Sequence, residues 1–113
     1  MNRNGSRFKA TPAKIARMVR RIVTRFDPER IILFGSRARG GASPDSDVDL
    51  LVVMPVQGSK RRKGLDIDLA VYDLNCPVDV VVVTPEEYSR HADIVGTVVY
   101  PAVREGKVLY ARH

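Results

Sequence analysis

The apolar positions change period several times along the chain, and each change predicts an element. Ile15, Met18, Val19, Ile22 and Phe26 recur at helical spacing, while Arg17, Arg20, Arg21 and Arg25 fall mostly on the opposite side. Thr11-Pro12 supplies an N-cap and a first helical residue, and Asp27-Pro28 ends the segment. Two apolar runs follow, residues 31–34 and 48–53, each bounded by turn signals and short enough for a buried strand. A third run, Pro77-Val78-Asp79-Val80-Val81-Val82-Val83, predicts a third strand.

Residues 54–64 hold Pro55, Gly58, Gly64 and the run Lys60-Arg61-Arg62-Lys63, and read as a loop. A helix is expected after it, over about residues 65–74. Its period is ambiguous: Leu65, Ile67, Leu69 and Val71 alternate as a strand would, whereas Ile67, Ala70, Val71 and Leu74 fit a helix. Thr84-Pro85-Glu86-Glu87 is a capping box opening a helix to about His91. Pro101 is expected to divide the apolar stretch beyond it into helical pieces at 94–100 and 102–105. Gly106 follows as a C-cap, and Lys107-Val108-Leu109-Tyr110 can form a last edge strand.

Connection lengths turn these elements into a topology. Only eleven residues, including one helical turn, separate Gly35 from Asp47, too few for the usual parallel crossover. The first two strands are therefore expected to be antiparallel neighbours. If the second and third strands are parallel across the helix between them, Asp79 starts at the same sheet edge as Asp47. The expectation is an α/β chain. The chain of 113 residues suits a single domain, 1–113, with residues 1–10 as a polar, basic arm.

Charge and cysteine usage narrow the setting. The net charge of +6 and a pI near 9.9 suit nucleotides, nucleic acid or an acidic protein partner. Aromatic residues make up 6% and are not interleaved with the basic ones, so nucleic acid is the least favoured of these. A single cysteine, Cys76, excludes an internal disulfide and suits a reducing cytoplasm. No apolar run approaches a membrane span, and a soluble cytoplasmic protein is expected.

The candidate chemistry lies in residues 31–53. Strand side chains alternate faces, so Asp47 and Asp49 point the same way, roughly 7 Å apart. That spacing lets two carboxylates share one or two divalent ions. Gly35 closes the preceding strand, where the lack of a Cβ allows close backbone approach. Ser36 begins a helix-compatible turn whose amides suit an anion, and Arg37 and Arg39 add charge suited to phosphate oxygens. Phosphate donors beside a two-carboxylate metal site describe a nucleoside triphosphate site. Gly-Ser alone, or Asp-x-Asp alone, would fit a plain hairpin with a polar loop. The ordered set of strand, Gly-Ser, ten residues, Asp-x-Asp and strand is much rarer.

Other residues weigh less. Asp79 opens the third strand either as another member of this cluster or as an exposed carboxylate at a strand entrance. Asp66-Ile67-Asp68 imitates the motif, but helical residues two apart diverge, and the pair is expected to be a decoy. The Lys60–63 run is expected roughly 20 Å from Asp47, beyond the screening length, as a solvated loop or a docking patch. Cys76, His91 and His113 have no chemical partners at a telling spacing.

Gly35-Ser36, Asp47 and Asp49 resemble the signature of the DNA-polymerase-beta-like nucleotidyltransferase superfamily. The compactness is similar to its minimal nucleotidyltransferase (MNT) branch, often paired with HEPN-domain proteins in prokaryotic toxin–antitoxin systems. The resemblance implies an α/β fold of α+β type, a small mixed sheet with helices mainly on one face. It also implies transfer of AMP from ATP to a hydroxyl of a partner protein, a HEPN-domain protein. It implies two Mg²⁺ ions, or Mn²⁺, held by Asp47, Asp49 and Asp79, the last because a third acid is expected on this later strand. It assigns the phosphates to Gly35, Ser36, Arg37 and Arg39. The rival reading is a non-catalytic module that neutralises a partner by docking, with a weak or vestigial nucleotide site.

Overall fold

The computed structural model describes residues 10–40 and 47–112. Of the arm expected over 1–10, residues 1–9 lie outside that range, and Ala10 is buried in the core. The elements run α1 (Pro12–Phe26), β1 (Arg30–Phe34), α2 (Ser36–Arg39), β2 (Val48–Val53) and α3 (Lys60–Ala70). A 3-10 turn (Tyr72–Leu74) follows, then β3 (Val78–Val83), α4 (Pro85–His91), α5 (Val99–Glu105) and β4 (Lys107–Ala111).

The four strands form one sheet in the order β3-β2-β1-β4. β1 pairs with β2 antiparallel, as the short connection predicts, and with β4 antiparallel on its other side, while β2 pairs with β3 parallel. The carboxyl end of β1 therefore meets the amino ends of β2 and β3 at one edge.

Strand alternation divides the core in two. Ile31, Leu33, Val48, Leu50 and Val52 face α1 and α3, and this is the larger cluster. Met18 and Ile22 of α1 are fully buried in it, each worth about 1.5–3 kcal/mol of apolar burial. Ile32, Leu51, Val53 and Val83 face the other way, towards the smaller α4–α5 layer through Tyr88, Val99 and Ala102. Most of the helical packing thus lies on one face. Asp47, Asp49 and Asp79 have the strand parity of the thinner face, at the end where β1 gives way to α2.

The helix ends are fixed by local chemistry. The Lys14 amide donates to Thr11 Oγ1 at 3.1 Å, and Asp27 closes α1 in the left-handed region with φ +48°. Thr84 and Glu87 form a reciprocal capping box on α4. Gly106 ends α5, where a Cβ would come within 2.3 Å of the Ala102 carbonyl and 2.7 Å of Ile32 Cγ2. Only glycine lets this turn lie against β1.

Two expectations are corrected. The Lys60-Arg61-Arg62-Lys63 run is the first turn of α3, with Ser59 as its N-cap, and not a loop. Cations there oppose the helix dipole, but partners elsewhere compensate. Lys60 is hydrogen-bonded to Glu87, Lys63 lies 5.8 Å from the Phe26 ring centroid, and Arg62 pairs with Asp66 at 3.7 Å. Gly64, which looked like a loop residue, lets α3 approach β3: a Cβ would sit 3.3 Å from the Val80 carbonyl. Pro101 does not divide a helix. It lies in the first turn of α5, where the missing N–H costs nothing, and the helix begins only at Val99.

Among the described residues, no helix is long and apolar enough to cross a membrane.

Candidate active site

Register brings the predicted carboxylates together. Asp49 pairs with Phe34 on one side and with Asp79 on the other. Asp47 precedes β2 by one position, and Asp79 is the second residue of β3. Asp49 is partly buried, whereas Asp47 and Asp79 are more open to solvent. Burial pushes the Asp49 carboxyl above the usual carboxylate range, and the charges of Asp79 and then Asp47 push it further. Their fields meet on one side chain, as one cluster requires.

Gly35 sets the other wall. It is the N-cap of α2, with φ +77° and ψ −158°, a region that L side chains rarely adopt. A Cβ at this position would come within 2.3 Å of Asp49 Oδ2. The bare Cα thus keeps open the space where the carboxylate meets the start of α2. Ser36 is the first helical residue, and α2 is closed by amides of Ala38 and Arg39 that donate to the Gly35 carbonyl at 3.1 and 3.3 Å.

The two arginines of α2 differ. Arg39 reaches Glu105 at the end of α5, with Nη1 3.4 Å from Oε1. The charge of Arg37, like that of Lys14, acts to lower the pKa of the Cys76 thiol. Burial is the larger influence and pushes the Cys76 thiol up, so it is a poor nucleophile. Asp47 also acts on Cys76. Cys76 therefore borders the carboxylate site, a position that its place three residues ahead of Asp79 could have suggested. Nothing in the spacing of Arg39 and Glu105 pointed to their contact.

Asp66 and Asp68 lie on a helix, α3, as expected, and Asp68 lines the same cavity as Asp79. His91 ends α4, and His113 lies outside the described residues. Residues 41–46 of the link between Ser36 and Asp47 also lie outside them.

The donor set suits a divalent cation, because a cation would relieve the repulsion centred on Asp49. Among the described residues, however, no group of three or more His, Cys, Asp or Glu side chains is placed to hold an ion unaided. Magnesium commonly binds through one or two carboxylates and completes its shell with phosphate oxygens and water. An incomplete carboxylate set beside an anion-compatible turn is consistent with that habit.

Residues 15–101 match the family model of the nucleotidyltransferase domain. No curated protein matches the chain. Among solved structures, the chain is 25% identical to a Sulfolobus solfataricus protein provisionally described as a nucleotidyltransferase, with a TM-score of 0.56, over 88% of this chain and 79% of the other. A mutant of the toxin–antitoxin MntA–HpeT is 21% identical with a TM-score of 0.56, over 93% of this chain and 76% of that one. A toxin–antitoxin structure with AMP-PNP is 20% identical with a TM-score of 0.50, over 92% and 76%. The last two likenesses are likenesses of fold.

Proposed function

Because the chain belongs to the nucleotidyltransferase domain family, we propose that it transfers AMP from ATP to a hydroxyl of a protein partner. The observation that supports this best is the meeting of Gly35 with Asp49, and of Asp49 with Asp79, at one sheet edge. Nucleotide and protein acceptor are suggested by fold neighbours described as toxin–antitoxin structures, one of them with AMP-PNP. On this reading the chain is an MNT-type antitoxin acting on a HEPN-domain protein in the cytoplasm.

Asp47, Asp49 and Asp79 would hold Mg²⁺, two ions, with Mn²⁺ an acceptable substitute. Bound there, the metal would supply positive charge for the triphosphate and for the attacking oxygen. Gly35 and Ser36 would seat the terminal phosphates where no side chain intrudes, and Arg37 or Arg39 would offset charge on the departing pyrophosphate. Asp79, near the entrance to β3, would take the proton of the acceptor hydroxyl. The acceptor oxygen bonds to the α-phosphorus, the bond from that phosphorus to its bridging oxygen breaks, and pyrophosphate leaves.

The test uses ATP labelled on the α-phosphate, incubated with the chain and a HEPN-domain protein. Label on that protein, lost with Asp49→Asn, is the expected result. Label only on RNA or on a small molecule would overturn the choice of acceptor. The rival, a docking module with a vestigial site, predicts no metal-dependent nucleotide binding in a calorimeter.

A further inference from the structure

Two helices of this chain open with Thr-Pro, and they use the third helical position differently. α4 completes its capping box with Glu87, whose carboxylate accepts from the Thr84 amide at 2.9 Å. α1 carries Lys14 at that position. Its amide donates to Thr11 Oγ1, but an ammonium cannot accept in return from the Thr11 amide. A cation in the first turn also opposes the helix dipole, and that turn holds no acid. Local helix stability therefore does not account for Lys14. A broken local rule of this kind is expected where a residue serves a site.

The Lys14 side chain crosses to the start of β3. Its Nζ donates to the Asn75 carbonyl at 3.2 Å, 61 residues away in sequence. Asn75 is left-handed, with φ +53°, a conformation asparagine tolerates, and it turns the chain from the 3-10 turn towards β3. Two residues on, the Pro77 carbonyl accepts from the Val48 amide at 2.9 Å, the first rung between β3 and β2. Asp79 follows, level with Asp49. β3 is the end of the sheet, so no strand holds it from its outer side. The Asp79 side chain has no hydrogen bond or ion pair among the described residues, so the backbone alone places it. α1 also grips the connection upstream, where Arg21 Nη1 donates to the Ala70 carbonyl at 3.1 Å and bonds to Asp73. Lys14 holds the downstream end, next to the carboxylates.

We infer that Lys14 is a positioning residue for the carboxylate site: by holding the Asn75 carbonyl it fixes where β3 enters the sheet, and so sets Asp79 beside Asp49. The lysine forgoes a local helix contact and makes a distant one that serves the site. The inference rests on the transfer reading for what Asp79 does, and adds what places it.

Lys14→Gln is the test, because glutamine completes the capping box of α1 while releasing Asn75. The variant should melt at or above the wild-type temperature. In the metal-free protein, hydrogen exchange of the Val48 amide, which is bonded to Pro77, should quicken about tenfold, with β1 unchanged. Calorimetry in the presence of AMP-PNP should show Mg²⁺ affinity lower by about tenfold or more, the loss typical when support behind metal ligands is removed. Lys14→Arg, which can still reach a carbonyl, should restore both. Faster exchange with unchanged Mg²⁺ affinity overturns the inference, as does weaker Mg²⁺ binding with unchanged exchange. A Lys14→Gln variant that melts well below the wild type overturns it too, since the lysine would then serve the fold at large. A wild type whose AMP-PNP binding ignores Mg²⁺ removes the transfer reading instead, and exchange at Val48 still decides whether Lys14 sets the entry of β3.

Discussion

Gly35 and Asp49 touch across the junction of β1 and β2, and the contact leaves no room for a methyl group: a Cβ on residue 35 would fall 2.3 Å from Asp49 Oδ2. The obstructing atom is the end of a short side chain, so Gly35→Ala is expected to displace the carboxylate. Backbone strain adds to this, because φ +77° with ψ −158° is essentially a glycine conformation, and forcing alanine into it costs about 1–3 kcal/mol. The expected outcome is a folded protein with a lower melting temperature and transfer reduced far more than stability would explain. A Gly35→Ala variant that labels its acceptor at the wild-type rate would contradict the role of this contact.

Asp49→Asn separates stability from activity. Asp49 is partly buried and feels the like charges of Asp79 and Asp47. Removing its charge relieves desolvation and repulsion together, so the metal-free variant should melt higher than the wild type. Transfer should be abolished, since a neutral amide is a poor ligand for a hard cation. Calorimetric melting in chelator, with and without added Mg²⁺, checks both halves: Mg²⁺ with a nucleotide analogue should raise the wild-type melting temperature and leave the variant unmoved.

The sequence made the strand topology and the carboxylate alignment legible because both follow from short-range rules. Eleven residues cannot carry a parallel crossover, and a period of two puts Asp47 and Asp49 on one face. Asp79 needed the register of β3, which the parallel pairing Asp49–Asp79 supplies. The start of α3 was hidden because its local signals are wrong for a helix: four cations in the first turn and a glycine inside. The compensation is tertiary, through Glu87, Phe26 and the Val80 carbonyl, contacts that no window of sequence contains. The Arg39–Glu105 pair was hidden for the same reason.

The Lys60–Glu87 pair gives a pH signature. The hydrogen bond from Lys60, followed by that from the Thr84 amide, lowers the Glu87 pKa from an ordinary 4.5 to about 2. A carboxylate whose folded pKa is depressed adds stability that is complete above its unfolded pKa. That stability is lost as pH falls through the folded value. Glu87→Gln should therefore melt below the wild type at pH 7, and the difference should shrink between about pH 4.5 and about pH 2. Lys60→Ala should show the same trend. Neither should change the KM for ATP, because Glu87 caps α4 beyond the carboxyl end of β3, opposite the carboxylate cluster. A large rise in that KM would place α3 at the nucleotide.

The two arginines of α2 should not contribute equally to transfer. Arg39 is held by Glu105 at 3.4 Å, so reaching a phosphate means giving up a partner at the end of α5. Both groups are about half exposed, and such a pair is worth at most about 1 kcal/mol. The pairing therefore competes with phosphate without forbidding it. The charges of Arg37 and Asp47 both act on the Cys76 sulfur. The charge of Arg37 is thus felt at a residue on which that of Asp47 also acts. Removing a donor that stabilises developing charge typically lowers kcat by about 10²–10³. Arg37→Ala is expected to approach that loss, and Arg39→Ala to stay within a few-fold of the wild type. Glu105→Gln should release Arg39 and leave kcat the same or slightly higher. Single-turnover rates at saturating ATP measure this without interference from product release. If Arg39→Ala proves the more damaging of the two, the Glu105 pair must open during the reaction, and Arg39 is the group that neutralises the leaving pyrophosphate.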